Sequence, residues 1–271
     1  MKKILAGILL ALLCAHDAVI QAARTFSAGT THRVYESAYT TNHTSTTWAI
    51  WTYRTGEGGS NFGRMWMKGS NSIDGRLYTN NSANYQFDRE ASTSDGNWAF
   101  TKPAANVWAH IAITYSSSAL ANDPIIYVNG SSVALAGDTN PTGTISNNSE
   151  GYCIGNFENA GSPSQNWGGS LADFAVWDAI LNAGEIAALG KGVSPLWIRP
   201  ANLKLYMPIT GLHTTEPDYS TTRAAGTVTS ATLTAHAPPI QSIFSNYGAQ
   251  NNDVSSGGAI APLIYLQRRR R

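Results

Sequence analysis

The sequence is poor in charged residues and carries almost no net charge. Only 13% of its 271 residues are Asp, Glu, Lys or Arg, whereas about 25% is usual for a soluble domain. The formal net charge of +1 offers no basic stripe that would attract nucleic acid and no strong acidic field. Ser, Thr, Asn and Gly must therefore supply most of the polar surface, which is typical of exported β-proteins and of many virion proteins.

Cysteine is equally scarce, and this excludes a disulfide framework. The chain has two cysteines, of which Cys14 lies in a segment that is expected to be removed on export. Cys153 would then have no partner. The stability of the protein must therefore come from core packing and from the hydrogen bonds of its sheets.

A membrane-spanning segment is also not expected. The apolar run at residues 4–13 is about half the length of the roughly 20 residues that a spanning helix needs. Lys2 and Lys3 precede the run, and Ala15 and Ala22 follow it as small residues at which cleavage is expected, which is the pattern of an export signal. Residues 1–22 are therefore predicted to be a signal peptide. The mature protein is expected to be secreted, periplasmic or on the cell surface, with a virion location as the alternative.

The chain is rich instead in aromatic and β-branched residues, arranged in short runs. Residues 108–178 hold four apolar runs separated by Asn, Gly, Pro and Ser, which predicts strands of an antiparallel sandwich. Asn129 and Gly130, between two of these runs, predict a tight hairpin turn. Further strands are predicted at residues 46–54, 62–67, 75–78, 85–89, 98–101, 203–208 and 227–234.

Alternation along the predicted strands indicates the core. Side chains at every second position of a strand point to the same face. This places Ile111 and Ile113 on one buried face, and Phe174 and Val176 on another. The neighbouring Asp173 falls on the opposite alternation, where a structural carboxylate is the plain interpretation.

One short helix is marked by its first residues. Asn182 is a favourable N-cap, and Glu185 three residues later completes a capping box. The helix is predicted near residues 183–190, ending at Gly190 or Gly192. A single domain is then predicted over residues 23–240, followed by a flexible tail at 241–271 that ends in four arginines.

Five short pieces of the sequence occur in an order and spacing that point to a family. They are Trp108 with His110, residues 127–130, Ile154 with Gly155, residues 171–178 and residues 181–185. Together they resemble laminin-G-like and pentraxin-like domains of the concanavalin A-like lectin/glucanase superfamily, over roughly residues 25–210. The resemblance implies a jelly-roll sandwich of two antiparallel sheets. Domains of this kind mostly bind glycans or proteins at a rim of loops, often through calcium.

The resemblance to pentraxins also implies where calcium would bind. Asp74 falls on the first ligand position, but the following Gly75 has no side-chain oxygen. The second position falls on Phe157, Glu158 and Asn159, of which the last two offer oxygens. Calcium takes about six to eight oxygen ligands. The implied site, with Asp74, Glu158 and Asn159 as metal ligands, would therefore need backbone carbonyl groups and water to be complete.

A glycan site needs flat aromatic surface beside hydrogen-bonding groups. Trp167 lies among loop-forming residues at 165–169, so it is the aromatic residue most expected to be exposed to a ligand. Asn156 and Asn159 are expected to contribute ligand-binding amide groups in the same region. Packing in the sandwich core is the alternative for each aromatic residue near a predicted loop, namely Tyr78, Trp98, Tyr152 and Trp167.

The sequence does not predict an enzyme. Retaining glucanases of the same superfamily carry a Glu-x-Asp-x-x-Glu cluster on one strand, where two carboxylates act together. The nearest arrangement here is Asp88 and Glu90 with Arg89 between them. We therefore expect a non-enzymatic recognition module for a glycan or a surface protein, which could form oligomers. The alternatives are a structural protein of a virion, fibre or surface layer and, third, a diverged glycoside hydrolase.

Overall fold

The computed structural model describes residues 23–27, 31–69, 74–147, 149–157 and 165–234. Within these ranges the chain forms two antiparallel sheets and one α-helix, which confirms the predicted all-β jelly-roll sandwich with one short helix. No helix in this part of the chain is long and apolar enough to cross a membrane. The predicted signal peptide and the predicted tail at 241–271 lie outside the described residues and remain predictions.

The strands follow one another with short connections. They are β1 (Ala23–Phe26), β2 (Arg33–Glu36), β3 (Ser45–Arg54), β4 (Arg64–Lys68), β5 (Gly75–Thr79), β6 (Asn84–Arg89), β7 (Gly96–Thr101), β8 (Trp108–Ser116), β9 (Ile125–Val128), β10 (Ser131–Val133), β11 (Gly137–Thr139), β12 (Tyr152–Ile154), β13 (Gly169–Trp177), β14 (Leu203–Met207), β15 (Thr215–Glu216), β16 (Gly226–Thr229) and β17 (Thr232–Thr234).

The strand order brings distant parts of the chain together. The first sheet has the order β10-β9-β8-β3-β13-β1-β17, with β14 also paired to β13. The second sheet has the order β11-β7-β6-β5-β4-β12-β2-β16-β15. The hairpin between β9 and β10 turns at Asn129 and Gly130, whose φ angles are 51° and 83°. These left-handed values are those of the tight turn that the sequence predicts.

The core lies between the two sheets and is largely aromatic. Trp48 of the first sheet stacks on Trp66 of the second, with 5.3 Å between ring centroids. Such contacts add to the gain from removing large apolar surfaces from water. The four predicted core residues are all buried: Ile111, Ile113, Phe174 and Val176.

Helix α1 (Ala183–Gly190) covers part of the outer face of the first sheet. Asn182 accepts a hydrogen bond from the backbone N–H of Glu185, and the Glu185 carboxylate accepts one from the backbone N–H of Asn182. This confirms the predicted capping box. Ile186 and Leu189 of the helix share an apolar cluster with alanines of three adjacent strands, whose small side chains leave room for a helix. These alanines are Ala49, Ala112 and Ala175.

Candidate functional site

The outer face of the second sheet carries the polar and aromatic side chains that could meet a ligand. Leu77 of β5 and Phe87 of β6 are paired and belong to the core. Because successive side chains alternate between faces, Tyr78 and its partner Gln86 point outward. Arg64 of β4 is the partner of Tyr78 on the other side, so three adjacent strands present these side chains together.

A bulge in β4 explains why Arg64 reaches this face. Arg64 pairs with Tyr78, but Trp66 pairs with Leu77, so two residues of β4 advance against one residue of β5. A bulge of this kind reorients the side chains on either side of it. The indole of Trp66 therefore enters the core, whereas the guanidinium of Arg64 lies over the outward ring of Tyr78.

Aromatic rings flank the guanidinium of Arg64. Its Cζ atom lies 4.1 Å from the centroid of the Tyr78 ring and 5.7 Å from that of Phe157. Both distances fall within the range of cation–π contacts. A second guanidinium, that of Arg76, lies 5.1 Å from the same Tyr78 ring. We call Arg64, Arg76, Tyr78, Asp88 and Phe157 the arginine cluster.

The cluster contains one carboxylate, and that carboxylate is already engaged. Arg76 contacts Oδ2 of Asp88 at 2.6 Å, and the Gln86 amide donates to Oδ1 of Asp88 at 2.6 Å. Arg64 is only 4% exposed, and its Nε and Nη1 atoms have no hydrogen-bond partner in the described part of the chain. A buried cation that lacks a paired anion is energetically costly.

Burial also affects the acid–base properties of the cluster. Burial, together with the neighbouring Arg76, lowers the pKa of Arg64 to about 9, so the guanidinium is still protonated at neutral pH. Burial, together with Asp88, raises the pKa of the Tyr78 hydroxyl to about 12, so this ring is neutral. At neutral pH the cluster therefore carries two cations and one anion.

Residues 157–165, which follow the predicted ligand residue Asn156, are called the loop below, and its two ends, Phe157 and Gln165, are called its stem. The stem lies beside the cluster. The Asn156 side-chain oxygen accepts hydrogen bonds from the backbone N–H groups of Phe157, at 2.7 Å, and of Gln165, at 3.2 Å. The backbone N–H of Arg64 in turn donates to the carbonyl oxygen of Gln165 at 2.9 Å. Asn156 is fully buried. The structure therefore gives Asn156, which the sequence predicts to bind ligand, the role of holding the two ends of this loop together.

Phe62 extends the aromatic surface toward solvent. Its side chain is 40% exposed, and its ring lies 6.4 Å from that of Tyr78. On the other side of the cluster, Gln86 donates to the side chain of Asn97 at 2.8 Å. Apolar rings beside convergent polar groups are the usual lining of a small-molecule site. This face is suited to a ligand that has both an apolar surface and polar or anionic groups.

The predicted exposure of Trp167 is wrong. The Trp167 side chain is 0% exposed and belongs to the core, with its ring 5.9 Å from that of Tyr85. The nearby Gly169 has a φ of 144°, and a Cβ there would lie 2.0 Å from the carbonyl oxygen of Tyr53. At this position glycine permits close backbone packing, not a solvated loop. The other loop-adjacent candidates, Tyr78, Trp98 and Tyr152, are buried as well.

Of the three predicted calcium ligands, the structure describes Asp74. Asp74 is 0% exposed, and its Oδ2 atom lies 2.9 Å from the ammonium nitrogen of Lys68. A metal ion at Asp74 would have to compete with this ion pair. Glu158 and Asn159 lie outside the described residues. Among the residues that are described, no group of three or more His, Cys, Asp or Glu side chains is placed to hold a metal ion, and the calcium site remains a prediction.

A small cavity near one end of the sandwich is a second place to consider. It is lined by His43, Trp48, Lys68, Arg89 and Tyr152, among others. Its volume is about that of one water molecule. The cavity is too small for a sugar ring, so the outer face of the second sheet is the better candidate.

Sequence reasoning missed Arg64 and Phe62. Both lie within the strand predicted at residues 62–67, and uninterrupted alternation would place Arg64 on the same face as Trp66. The bulge that separates them depends on pairing with β5, which has no local signature. The sequence feature that could have indicated the site is Arg64 itself, a charged residue within a run that is otherwise rich in Met and Trp.

Comparisons with known proteins agree with this architecture. A protein from Bacteroides ovatus, itself described as a proposed carbohydrate-binding protein, has a similar fold, with a TM-score of 0.60 and 20% identity; the match covers 82% of this chain and 61% of that one. The chain thus spans less than two thirds of that protein. A pentraxin from Limulus polyphemus matches with a TM-score of 0.45 and 16% identity, over 63% of this chain and 82% of that one.

The mouse laminin α1 chain, domains LG4-5, matches with a TM-score of 0.43 and 11% identity, over 57% of this chain and 40% of that one. No curated protein sequence matches the chain. The sequence profile of the concanavalin A-like lectin/glucanases superfamily that describes laminin-G-type domains matches residues 27–187, which is more than half of the sequence. The chain therefore belongs to the concanavalin A-like lectin/glucanase superfamily.

Proposed function

We propose that this chain is an exported, non-enzymatic recognition module that binds a glycan on the outer face of its second sheet. The observation that carries the proposal is the arginine cluster, which lies between the exposed ring of Phe62 and the stem of the loop at Phe157. Sugars present apolar C–H faces to aromatic rings and hydroxyl groups to polar side chains. The exposed ring of Phe62 offers the first kind of partner, and the arginine cluster beside it offers the second.

The fold comparison supports a glycan rather than a protein as the partner. The Bacteroides ovatus protein, which shares the sandwich architecture at a TM-score of 0.60, is described as a proposed carbohydrate-binding protein. A surface protein remains the other candidate from sequence, and it would engage the same outer face.

The state of Asp88 supports binding without catalysis. Glycoside hydrolysis uses two carboxyl groups, one of which must be available as a nucleophile or base. Asp88, in the arginine cluster, accepts contacts from Arg76 and Gln86. Asp88 is the one carboxylate of the cluster, so the cluster does not supply the pair of carboxyl groups that this chemistry uses. Reducing-sugar release from common polysaccharides would contradict the non-enzymatic part of the proposal.

Glycan binding can be tested directly on the mature protein. Purified protein should bind members of a glycan array, and Phe62→Ala should weaken that binding by removing the exposed ring. Trp197→Ala is the control. Trp197 is also an exposed aromatic residue, at 63%, but it follows helix α1, which packs on the first sheet and not on the second. Absence of binding to every glycan, or equal losses in both variants, would contradict the proposal.

Calcium assistance forms a separate part of the proposal. The predicted ligands Asp74, Glu158 and Asn159 come from the pentraxin resemblance. The array should be run with calcium and with a chelator, alongside Glu158→Gln. Stronger binding in calcium that is lost in this variant supports the site, whereas identical binding in both buffers contradicts it.

Export is proposed from the predicted signal peptide. The apolar run at residues 4–13 follows Lys2 and Lys3, as export signals require. Sequencing of the mature N-terminus should find it after Ala15 or Ala22. An intact N-terminus at Met1 would instead favour the virion alternative.

A structural assembly role is the second candidate, and one observation favours it. Leu196 and Trp197 are 41% and 63% exposed and lie side by side in a short turn after helix α1. Adjacent exposed apolar side chains often mark contacts between proteins. If the protein assembles through this turn, sedimentation should show an oligomer that Trp197→Ala dissociates. A monomer at micromolar concentration would contradict this role.

A further inference from the structure

The arginine cluster has an incomplete charge balance. Asp88 lies against Arg76 and Gln86 and acts on Arg64 through its charge, but Nε and Nη1 of Arg64 have no hydrogen-bond partner in the described part of the chain. Arg64 is nevertheless almost completely buried, with 4% of its surface exposed. Charged side chains that are buried to this degree are normally paired.

The surroundings of Arg64 show which partner is missing. Tyr78 and Phe157 present ring faces to the guanidinium, and the Tyr78 hydroxyl also forms a hydrogen bond with Arg64. Nε and Nη1 both lack an acceptor in the described residues. A neutral hydroxyl group could accept one hydrogen bond but would leave the charge uncompensated. An anionic oxygen accepts such bonds and also compensates the charge.

We propose that Arg64 is the anchor for an anionic group, a carboxylate or a sulfate, of the saccharide that this face binds. The inference rests on the proposed glycan-binding function and specifies the class of ligand. Arg76, beside the same Tyr78 ring at 5.1 Å, adds a second positive charge. The neutral part of the saccharide would lie toward the exposed ring of Phe62.

Nε and Nη1 of Arg64 are buried in the free protein, so an anionic group can reach them only if a neighbouring side chain moves, and Phe157 is the candidate. Phe157 is half-buried, and its ring centroid is 5.7 Å from Cζ of Arg64, which is close to the outer limit for such a contact. Rotation of this ring away from the guanidinium would admit the anionic group. Phe157→Ala is therefore expected to bind acidic saccharides at least as fast as the unmodified protein.

The test compares saccharides that differ only in charge. The probes are 3′-sialyllactose with lactose, oligogalacturonate with its methyl ester, and dextran sulfate with dextran. The acidic member of at least one pair should bind about 10- to 100-fold more tightly, as charge-assisted hydrogen bonds are expected to contribute. Preference for the carboxylated or the sulfated pair identifies the anionic group.

Two variants of equal charge change separate the site from general electrostatics. Arg64→Gln should lower the affinity for the acidic member to that of its neutral partner. Arg199→Gln, which removes a cation paired with Glu185 on helix α1, should leave the preference intact. Equal loss in the two variants would overturn the inference.

A stability measurement keeps the inference testable if Arg64→Gln folds poorly. An arginine that binds a ligand, and does not support the fold, lowers the stability of the free protein because its charge is buried. Arg64→Met should therefore unfold at the same or a higher temperature and should no longer prefer acidic saccharides. A lower Tm with retained preference for acidic saccharides would show a structural role and overturn the inference.

The outcome also distinguishes the two proposals from each other. If in all three pairs the neutral member binds as tightly as its acidic partner, and Phe62→Ala abolishes that binding, the anionic class is wrong while glycan binding stands. If none of the six saccharides nor any array glycan binds, the proposed function fails, and the inference fails with it.

Discussion

Tyr206 on β14 donates a hydrogen bond of 2.8 Å to Oδ1 of Asp173 on β13. Asp173 lies at a bulge where the register of β13 against β3 shifts, and its φ of 50° is left-handed. Both residues are buried. Burial raises the pKa of Asp173 to about 7, and the Tyr206 hydrogen bond offsets only part of this effect. A structural carboxylate, as the sequence suggests, is thus found here, but its environment favours the protonated form.

Asp173 is predicted to make the fold less stable as pH rises. Its pKa is about 7 in the folded protein, against an ordinary value of 3.8. Between these values the folded protein keeps a proton that the unfolded chain has lost. The contribution of Asp173 to the free energy of unfolding is therefore fully present below pH 3.8 and is lost as the pH rises to about 7. The total loss is about 4 kcal/mol.

Urea unfolding of Asp173→Asn across this pH range checks the prediction. Asn tolerates the left-handed conformation and still accepts from Tyr206, so this variant should show a smaller decline in stability between pH 4 and 7 than the unmodified protein. Glu36, whose pKa is also raised by burial, keeps its own contribution in both proteins. Asp178→Asn, at a carboxylate paired with Lys204, should keep the decline. The same pH dependence in Asp173→Asn and in the unmodified protein would contradict the assignment.

Replacement of Trp167 is predicted to act on stability. Because its side chain is 0% exposed, Trp167→Ala should lower the free energy of unfolding by about 3–5 kcal/mol. Trp197→Ala, at a side chain that is 63% exposed, should change it by no more than about 0.5 kcal/mol. Denaturant titration measures both. A Trp167→Ala protein that is stable but unable to bind would restore the ligand-binding role predicted from the sequence.

Replacement of Asn156 is predicted to loosen the stem of the loop. Asn156→Ala removes the acceptor for the N–H groups of Phe157 and Gln165, each a loss of about 1 kcal/mol. Amide hydrogen exchange at these two residues should become faster. Asn156→Asp keeps the acceptor but loses the hydrogen bond that the amide donates to the carbonyl oxygen of His32, so it should retain only part of the protection. Unchanged exchange in Asn156→Ala would show that the stem is held by other contacts.

The capping box is predicted to stabilise the protein through helix α1. Asn182→Ala removes the acceptor for the N–H of Glu185 and should cost about 1 kcal/mol. Asn182→Ser keeps a cap and should restore most of this loss. Chemical denaturation of the three proteins provides the measurement. A loss in the serine variant as large as in the alanine variant would argue against capping as the cause.

The elements that sequence reasoning predicted correctly are those with local signals. The helix at Ala183–Gly190 is determined by a cap and a box that span four residues. The hairpin at Asn129 and Gly130 requires only the left-handed preference of those two residues. Burial of Ile111, Ile113, Phe174 and Val176 follows from alternation within single strands. For these features the nearest residues in sequence carry the physical cause.

The candidate site was much less predictable, because it depends on pairing between strands. Arg64 and Trp66 would share a face in a regular strand, and only the bulge against β5 separates them. Trp167 lies among glycines, which suggested a loop, yet the glycines allow β13 to approach β3 closely. In both cases the side-chain environment is set by residues far away in sequence.

The sequence by itself thus determined the all-β class, the single capped helix and the family, since periodicity, caps and turns act over a few residues. Only the tertiary structure decided which side chains meet on the outer face of the second sheet. It placed Arg64 over Tyr78, with Nε and Nη1 lacking a hydrogen-bond partner in the described residues, and it gave Asp173 a buried hydrogen-bond partner. Strand register and burial are collective properties of the packed sheets, which is why no short segment could reveal them.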